Sequence, residues 1–155
     1  MRLTDILQPE CVKVPLEAQD KKAAIDELVD LLARCANLQQ PEQLKQAVWQ
    51  RELARTTGIG HGIAIPHGKS AGVDRLRMAI GLASKPLDFG AIDGRPVTLI
   101  LLLVSPLDQT GPHIQALAKI SRMLTEESFR AALKRAASSE DLYNHIARHE
   151  AEAAV

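Results

Sequence analysis

Two imidazoles stand inside a run of glycines, Thr57-Gly58-Ile59-Gly60-His61-Gly62-Ile63-Ala64-Ile65-Pro66-His67-Gly68-Lys69. Glycine lets the backbone approach a ligand closely and turn successive N–H groups inward, a geometry suited to an anion. Histidine near neutral pH can be a nucleophile, a proton carrier or a metal ligand. Pro66 fixes its own φ and biases Ile65 toward extended backbone. His67 is therefore expected to leave the end of a strand in a defined direction, presented rather than buried. On this reading the amides of Gly60, Gly62 and Gly68 are candidates to bind an anion beside a presented His67.

His113 is the second informative imidazole. Directly after Pro112, it is expected in the first turn of a helix, where unpaired N–H groups and the positive end of the macrodipole favour an anion and disfavour an imidazolium. It follows the apolar segment Val97 to Val104, and α/β sheets place ligand sites beyond the C-terminal ends of such strands. Two loops can then converge at one sheet edge. Arg51, near the end of the helix that enters the glycine run, offers the planar donor fork that matches phosphate oxygens. Each has a plainer alternative: His113 as a surface or capping residue, Arg51 as a solvated helix residue like Arg34 or Arg55. His145 and His149, spaced i and i+4 on a final helix, are assigned no role.

The elements that must position these groups read as follows. Cys11 to Leu16 predicts a short strand, with Pro15 placing it at an edge or ending its ladder. Asp20 caps a helix over Lys21 to about Ala36 whose stripe is Ile25, Leu28, Val29, Leu32 and Cys35. Pro41 opens a second helix through Leu44, Val48 and Leu53. Leu76, Met78, Ile80 and Leu82 alternate as a strand with one buried face, whereas Val97 to Val104 is apolar on both faces and belongs at the centre of a sheet. Asp88-Phe89-Gly90 and Asp93-Gly94-Arg95-Pro96 are turn chemistry. Three helices close the chain: one from Thr110 with an inner face of Ile114, Leu117, Ile120 and Leu124, one from Thr125, and one from Ser138 or Ser139. The tail from Glu150 to Val155 is expected to fray. The whole predicts an α/β fold, a single domain over 1–155 with its core over about 3–148 and a sheet sandwiched by helices.

Composition bounds the function. The 155 residues carry 19 Lys and Arg against 19 Asp and Glu, a formal charge of zero, which argues against a nucleic-acid or anionic-membrane partner. The longest apolar run, Leu99 to Val104, has six residues, and a membrane helix needs about 20. With no secretory signal visible, the expected compartment is the cytoplasm. Cys11 and Cys35 show neither a disulfide framework nor zinc-ligand spacing and read as two small core thiols.

Nearly the whole chain resembles phosphotransferase-system enzyme IIA of the mannitol/fructose type, and especially its nitrogen-regulatory branch. The resemblance is carried by Arg51-Glu52, by Thr56 to Lys69, by Phe89-Gly90-Ala91-Ile92-Asp93-Gly94-Arg95-Pro96-Val97 and by Pro106-Leu107-Asp108-Gln109-Thr110-Gly111-Pro112-His113. It implies a mixed sheet flanked by helices, His67 as the phosphorylated residue, and His113 and Arg51 as its assistants. It also implies a phosphocarrier partner of the HPr or NPr type, and regulated partners such as sensor kinases or ion-transport regulators. The position six before the phosphorylated histidine often carries Asn or Glu in the family; here it is His61, which can donate to a phosphate oxygen only when suitably protonated. No cofactor is implied. The expected function is a phosphohistidine relay with a regulatory output, the alternative a sugar-transport component passing the phosphate to a IIB domain. Two other classes stay open: a hydrolase with a metal on His61, His67 and His113, and an interaction module with an inactive site.

Overall fold

Every strand that matters to the site is placed by Val97–Ser105. In this computed structural model, which describes residues 1–153, the chain forms β1 (Leu7–Leu16), α1 (Lys21–Ala36), α2 (Pro41–Ala54), β2 (Gly58–Gly60), β3 (Ile63–Ala64), β4 (His67–Lys69), β5 (Arg77–Leu87), β6 (Val97–Ser105), α3 (Thr110–Met123), α4 (Glu127–Lys134) and α5 (Ser139–Ala153). The sheet order is β1-β5-β6-β3-β2, with β4 also on β6. β6 pairs antiparallel with β5 and parallel with β3 and β4. It is the buried central strand that its unbroken apolar run predicts. β1 is an edge strand, as Pro15 requires, but it begins at Leu7 rather than Cys11.

Helices flank the sheet. α1 starts where expected: Asp20 Oδ1 accepts from Ala23 N at 2.8 Å, and Ala24, Ile25, Leu28, Val29 and Leu32 are buried. α1 and α2 pack on one another and reach β5 and β4 respectively, while α3 and α4 pack on β6 and α5 on β1.

Several expectations are corrected. β5 is buried on both faces from Met78 to Ala83, because β1 presses on its small residues: a Cβ at Gly81 would meet Leu16 Cδ1 at 2.5 Å. Leu53 is exposed, so the buried face of α2 ends at Glu52. Of the expected stripe on α3, Ile120 and Leu124 are buried and Leu117 is partly buried, but Ile114 is exposed, and His113, Ala116 and Met123 complete the inner face. α4 begins at Glu127, with Glu126 rather than Thr125 at its cap. α5 does not fray at Glu150: that carboxylate is buried and accepts from Leu3 N and Thr4 N, tying the last helix to the first residues. The expected fraying of Ala154 and Val155 lies outside the described residues. Cys11 and Cys35 are joined as a disulfide with Cα atoms 6.0 Å apart, a span such a bond allows. Their 24-residue separation hid this, because α1 folds back against β1.

Gly68 decides how near α2 comes to the site. A Cβ there would lie 2.9 Å from Val48 Cγ2 and 3.1 Å from Val48 N, so the helix rests on the bare backbone of β4. Arg51 sits one turn beyond Val48 on the same helix face. Gly68→Ala is expected to destabilise the fold by about 1–3 kcal/mol, the usual range for overpacking a filled interior. Urea unfolding measures it, and a loss below about 0.5 kcal/mol would mean that α2 yields without cost.

Candidate functional site

Pro66 breaks the strand that carries His67. β3 pairs with β6 at Ile63–Leu99 and Ala64–Ile100, β4 resumes at His67–Leu103, and the register is unchanged across Ile65-Pro66. Pro66 has no N–H to donate, although its carbonyl accepts from Leu103 N at 3.0 Å. Ile65 turns its own N–H to Thr57 O at 3.1 Å. Its carbonyl is left to meet His67 Nδ1 at 2.9 Å. A carbonyl oxygen only accepts, so Nδ1 carries the proton and Nε2 keeps the lone pair.

His113 stands opposite. The two ring centroids are 5.5 Å apart, and His113 is buried at the start of α3. Its Nδ1 lies 2.7 Å from Ser105 Oγ, at the end of β6. That hydroxyl is fully buried, and Nδ1 is the one hydrogen-bond partner it has among the described residues. The Ser105 O–H therefore donates to Nδ1, and Nε2 of His113 carries an N–H.

Burial, above all, lowers both imidazole pKa values. For His67 the Ile65 carbonyl partly opposes this, and the Arg51 and Lys69 cations reinforce it. For His113 burial, then His67 and Lys69, bring the value to about 4. Both rings are neutral at pH 7.

The cations stand around them. Arg51 Nη1 donates to Arg55 O at 3.0 Å, which holds the guanidinium at the end of α2. Lys69 Nζ donates to Thr110 Oγ1 at 2.7 Å, linking β4 to the first residue of α3. A cavity of about 450 Å³ is lined by Arg51, His67, Gly68, Lys69, Thr110 and His113. A second hollow of about 300 Å³ shares Arg51 and His67 and is edged by Ile59 and Ile92. Ile59, Ile92 and Ile114 are exposed apolar residues around this opening. Glu52, next to Arg51, is buried and pairs with Lys21 Nζ at 2.8 Å. It also accepts from Thr57 N and Oγ1, so the segment between α2 and β2 is fixed.

The structure brings His67, Gly68, His113 and Arg51 to one cavity and places Gly60, His61 and Gly62 elsewhere. Gly60, His61 and Gly62 form the turn between β2 and β3, where His61 has a positive φ of 58°. Its N–H donates to Asp93 Oδ2 at 3.0 Å and its carbonyl accepts from Lys134 Nζ at 2.6 Å. His61 and Gly62 line a different cavity, near the start of β6 rather than its end. Gly60 and Gly62 answer to turn geometry, with positive φ, and Gly58 to close packing, since a Cβ there would meet Ala91 at 2.8 Å, while Gly68 lines the His67 cavity. With His61 apart, the three-imidazole metal reading fails, and among the described residues no three His, Cys, Asp or Glu side chains converge as a metal set. The reading of the residues missed Lys69 and Ser105. Lys69 had a signal, since residues i and i+2 of a strand share a face. Ser105 had none, because its distance to His113 depends on how the loop from β6 to α3 folds.

Comparison with known proteins agrees with this geometry. The family model described as "Phosphoenolpyruvate-dependent sugar phosphotransferase system, EIIA 2" matches residues 5–149. The chain is 37% identical over 149 residues to the nitrogen regulatory protein of Escherichia coli, covering 94% of this chain and 90% of that one. It is 32% identical to the fructose-specific EIIABC component of Bacillus subtilis, covering 97% of this chain but spanning only 24% of that longer protein. Among solved structures, nitrogen regulatory protein IIA-Ntr from Neisseria meningitidis superposes with a TM-score of 0.85 at 32% identity, covering 93% of this chain and 98% of that one. A sheet broken at a proline, two facing neutral imidazoles and a match across nearly the whole sequence agree: the chain belongs to the type 2 enzyme IIA family of the phosphotransferase system.

Proposed function

We propose that His67 accepts a phosphoryl group from a phosphohistidine carrier of the HPr or NPr type, and that the protein's phosphorylation state governs which proteins it binds. The observation that carries this is the bond between His67 Nδ1 and Ile65 O, which leaves a neutral Nε2 lone pair beside the cavity. Nε2 attacks the phosphorus as the donor's P–N bond breaks, and that bond's electron pair returns to the donor imidazole. Nδ1 keeps its proton, donated to the Ile65 carbonyl, throughout. Charge on the three equatorial oxygens is met by Arg51, Lys69 and the Nε2–H of His113, and Ser105 positions His113.

The rim of Ile59, Ile92 and Ile114 supports a protein partner rather than a small substrate, since exposed apolar side chains gathered around a reactive group suit docking. The regulatory output rests on likeness to proteins named nitrogen regulatory protein. Transfer onward to a IIB domain is the second reading, favoured by likeness to the fructose-specific EIIABC component. Incubating the phosphorylated protein with a purified IIB domain separates the two, since a transport component discharges within the mixing time.

Three outcomes test the site. With a purified phosphorylated carrier, His67→Ala is expected to take up no phosphoryl group by intact-protein mass spectrometry, and Arg51→Gln to slow uptake by about 10²-fold or more. Phosphate on the alanine variant would sink the assignment. Nitrogen-15 NMR of the phosphoprotein is expected to put the P–N bond at Nε2, and a bond at Nδ1 would contradict the Ile65 contact.

The third outcome concerns pH. NMR titration is expected to find the His67 midpoint below the ordinary imidazole value of about 6.5, and that of His113 near 4. The unfolded chain takes up protons that folded His113 refuses. Its contribution to stability is therefore complete above about pH 6.5 and lost as pH falls toward 4. A stability that rose on acidification through this window in the wild type but not in His113→Gln would reverse the sign.

A further inference from the structure

A cavity of similar size lies away from His67. A hollow of about 480 Å³ is lined by Arg95, Arg130 and Lys134, with Glu127 as its one carboxylate. We propose that it binds a phosphate ester with a hydroxyl- or amine-bearing body, of which a nucleotide is the type.

Three observations converge. The whole chain is electrically neutral, yet three cations meet here against one carboxylate. Among the described residues none of the three cations is in an ion pair. Two of them are held in place by uncharged acceptors. Lys134 Nζ donates to His61 O, and Arg130 Nη1 donates to Leu124 O at 2.7 Å and Thr125 O at 3.2 Å. Each keeps further N–H donors for a ligand, and neither must be stripped from a carboxylate to use them. The Arg95 side chain makes no hydrogen bond within the protein among the described residues, and its N–H fork is the third donor.

The remaining lining describes the body of the ligand. Pro86, Pro96 and Ala131 offer apolar walls, while Glu127 and Thr98 can accept from a hydroxyl or an amine. The volume falls in the range of small-molecule sites, roughly 300–1,000 Å³, and exceeds what inorganic phosphate would fill. The left-handed turn Gly60-His61-Gly62 gains a purpose here: it carries the carbonyl that fixes Lys134.

This hollow is separate from the reactive imidazoles. It borders Thr98 near the start of β6, whereas His67 pairs with Leu103, five residues or about 17 Å along the same strand. Binding here can therefore be read independently of phosphoryl transfer.

Titration of the nitrogen-15-labelled protein with ATP, with EDTA present and ionic strength held constant, tests the proposal. Saturable shifts are expected at the amides of Gly62, Thr98, Ala131 and Lys134, with a midpoint below about 1 mM. Arg130→Gln is expected to weaken binding by about tenfold. Because Arg130 also anchors the start of α4, Arg95→Gln is the second variant. Its side chain supports nothing else in the fold, and it too should weaken ATP by several-fold. AMP should bind more weakly than ATP, and adenosine not measurably. Shifts centred on His67 and Lys69, equal affinity in both variants, or a heptaglutamate peptide binding as well as ATP would each overturn the proposal.

Discussion

A proline in the middle of a sheet is the constraint on which the site depends. Pro66 cannot donate to β6, so the strand that would run unbroken from Ile63 to Lys69 is divided, and Ile65 leaves the ladder. The released carbonyl takes the proton-bearing nitrogen of His67. The missing N–H of Pro66 thus sets the tautomer of the adjacent His67 ring and leaves its Nε2 lone pair free. The register with β6 is unchanged on either side, so the break relocates one carbonyl without loosening the sheet.

The surroundings of the two imidazoles follow from the same placement. β6 is buried over nearly its whole length, and a ring resting at its end inherits a poorly solvated setting that disfavours imidazolium. Arg51 and Lys69 push His67 in the same direction, and His67 and Lys69 push His113. Cations that lower a histidine's pKa also attract a phosphoryl group. Neutral imidazoles and cationic frame are therefore one electrostatic arrangement, in which burial contributes most. Ser105 and the Ile65 carbonyl then fix opposite tautomers: His67 offers a lone pair, His113 an N–H.

Local rules made much of this legible. The cap at Asp20, the stripe of α1, the edge role of β1 and the centrality of β6 all lie within one element, where periodicity and capping decide. His67 and His113 were legible because Pro66 and Pro112 fix backbone on either side of an apolar strand. The glycine run misled at Gly60 to Gly62, since the same freedom that can cradle an anion also permits a tight turn away from the cavity that Gly68 lines. The face of α3 was misread only at its start, where His113 takes the buried position and Ile114 is exposed, because a hydrophobic pattern reserves such a position for an apolar side chain. The cysteine pairing and the Ser105 contact are tertiary, formed where α1 returns to β1 and where the β6–α3 loop closes. No spacing encodes either.

A relay that also signals needs its charge change to be felt by a partner. A phosphoryl group on an exposed loop would be screened by solvent within about 8–10 Å. On His67 it would stand in a half-enclosed cavity bounded by Ile59, Ile92 and Ile114, side chains that remain exposed where most large apolar residues are buried. Burying that rim under a partner would remove water from the same cavity and strengthen whatever the partner places against the phosphate, attractive or repulsive. The apolar rim supplies contact area that does not depend on charge, and the phosphoryl group decides whether that area can be closed. Switching of this kind requires no rearrangement of the sheet, which suits a site built on the end of its most buried strand.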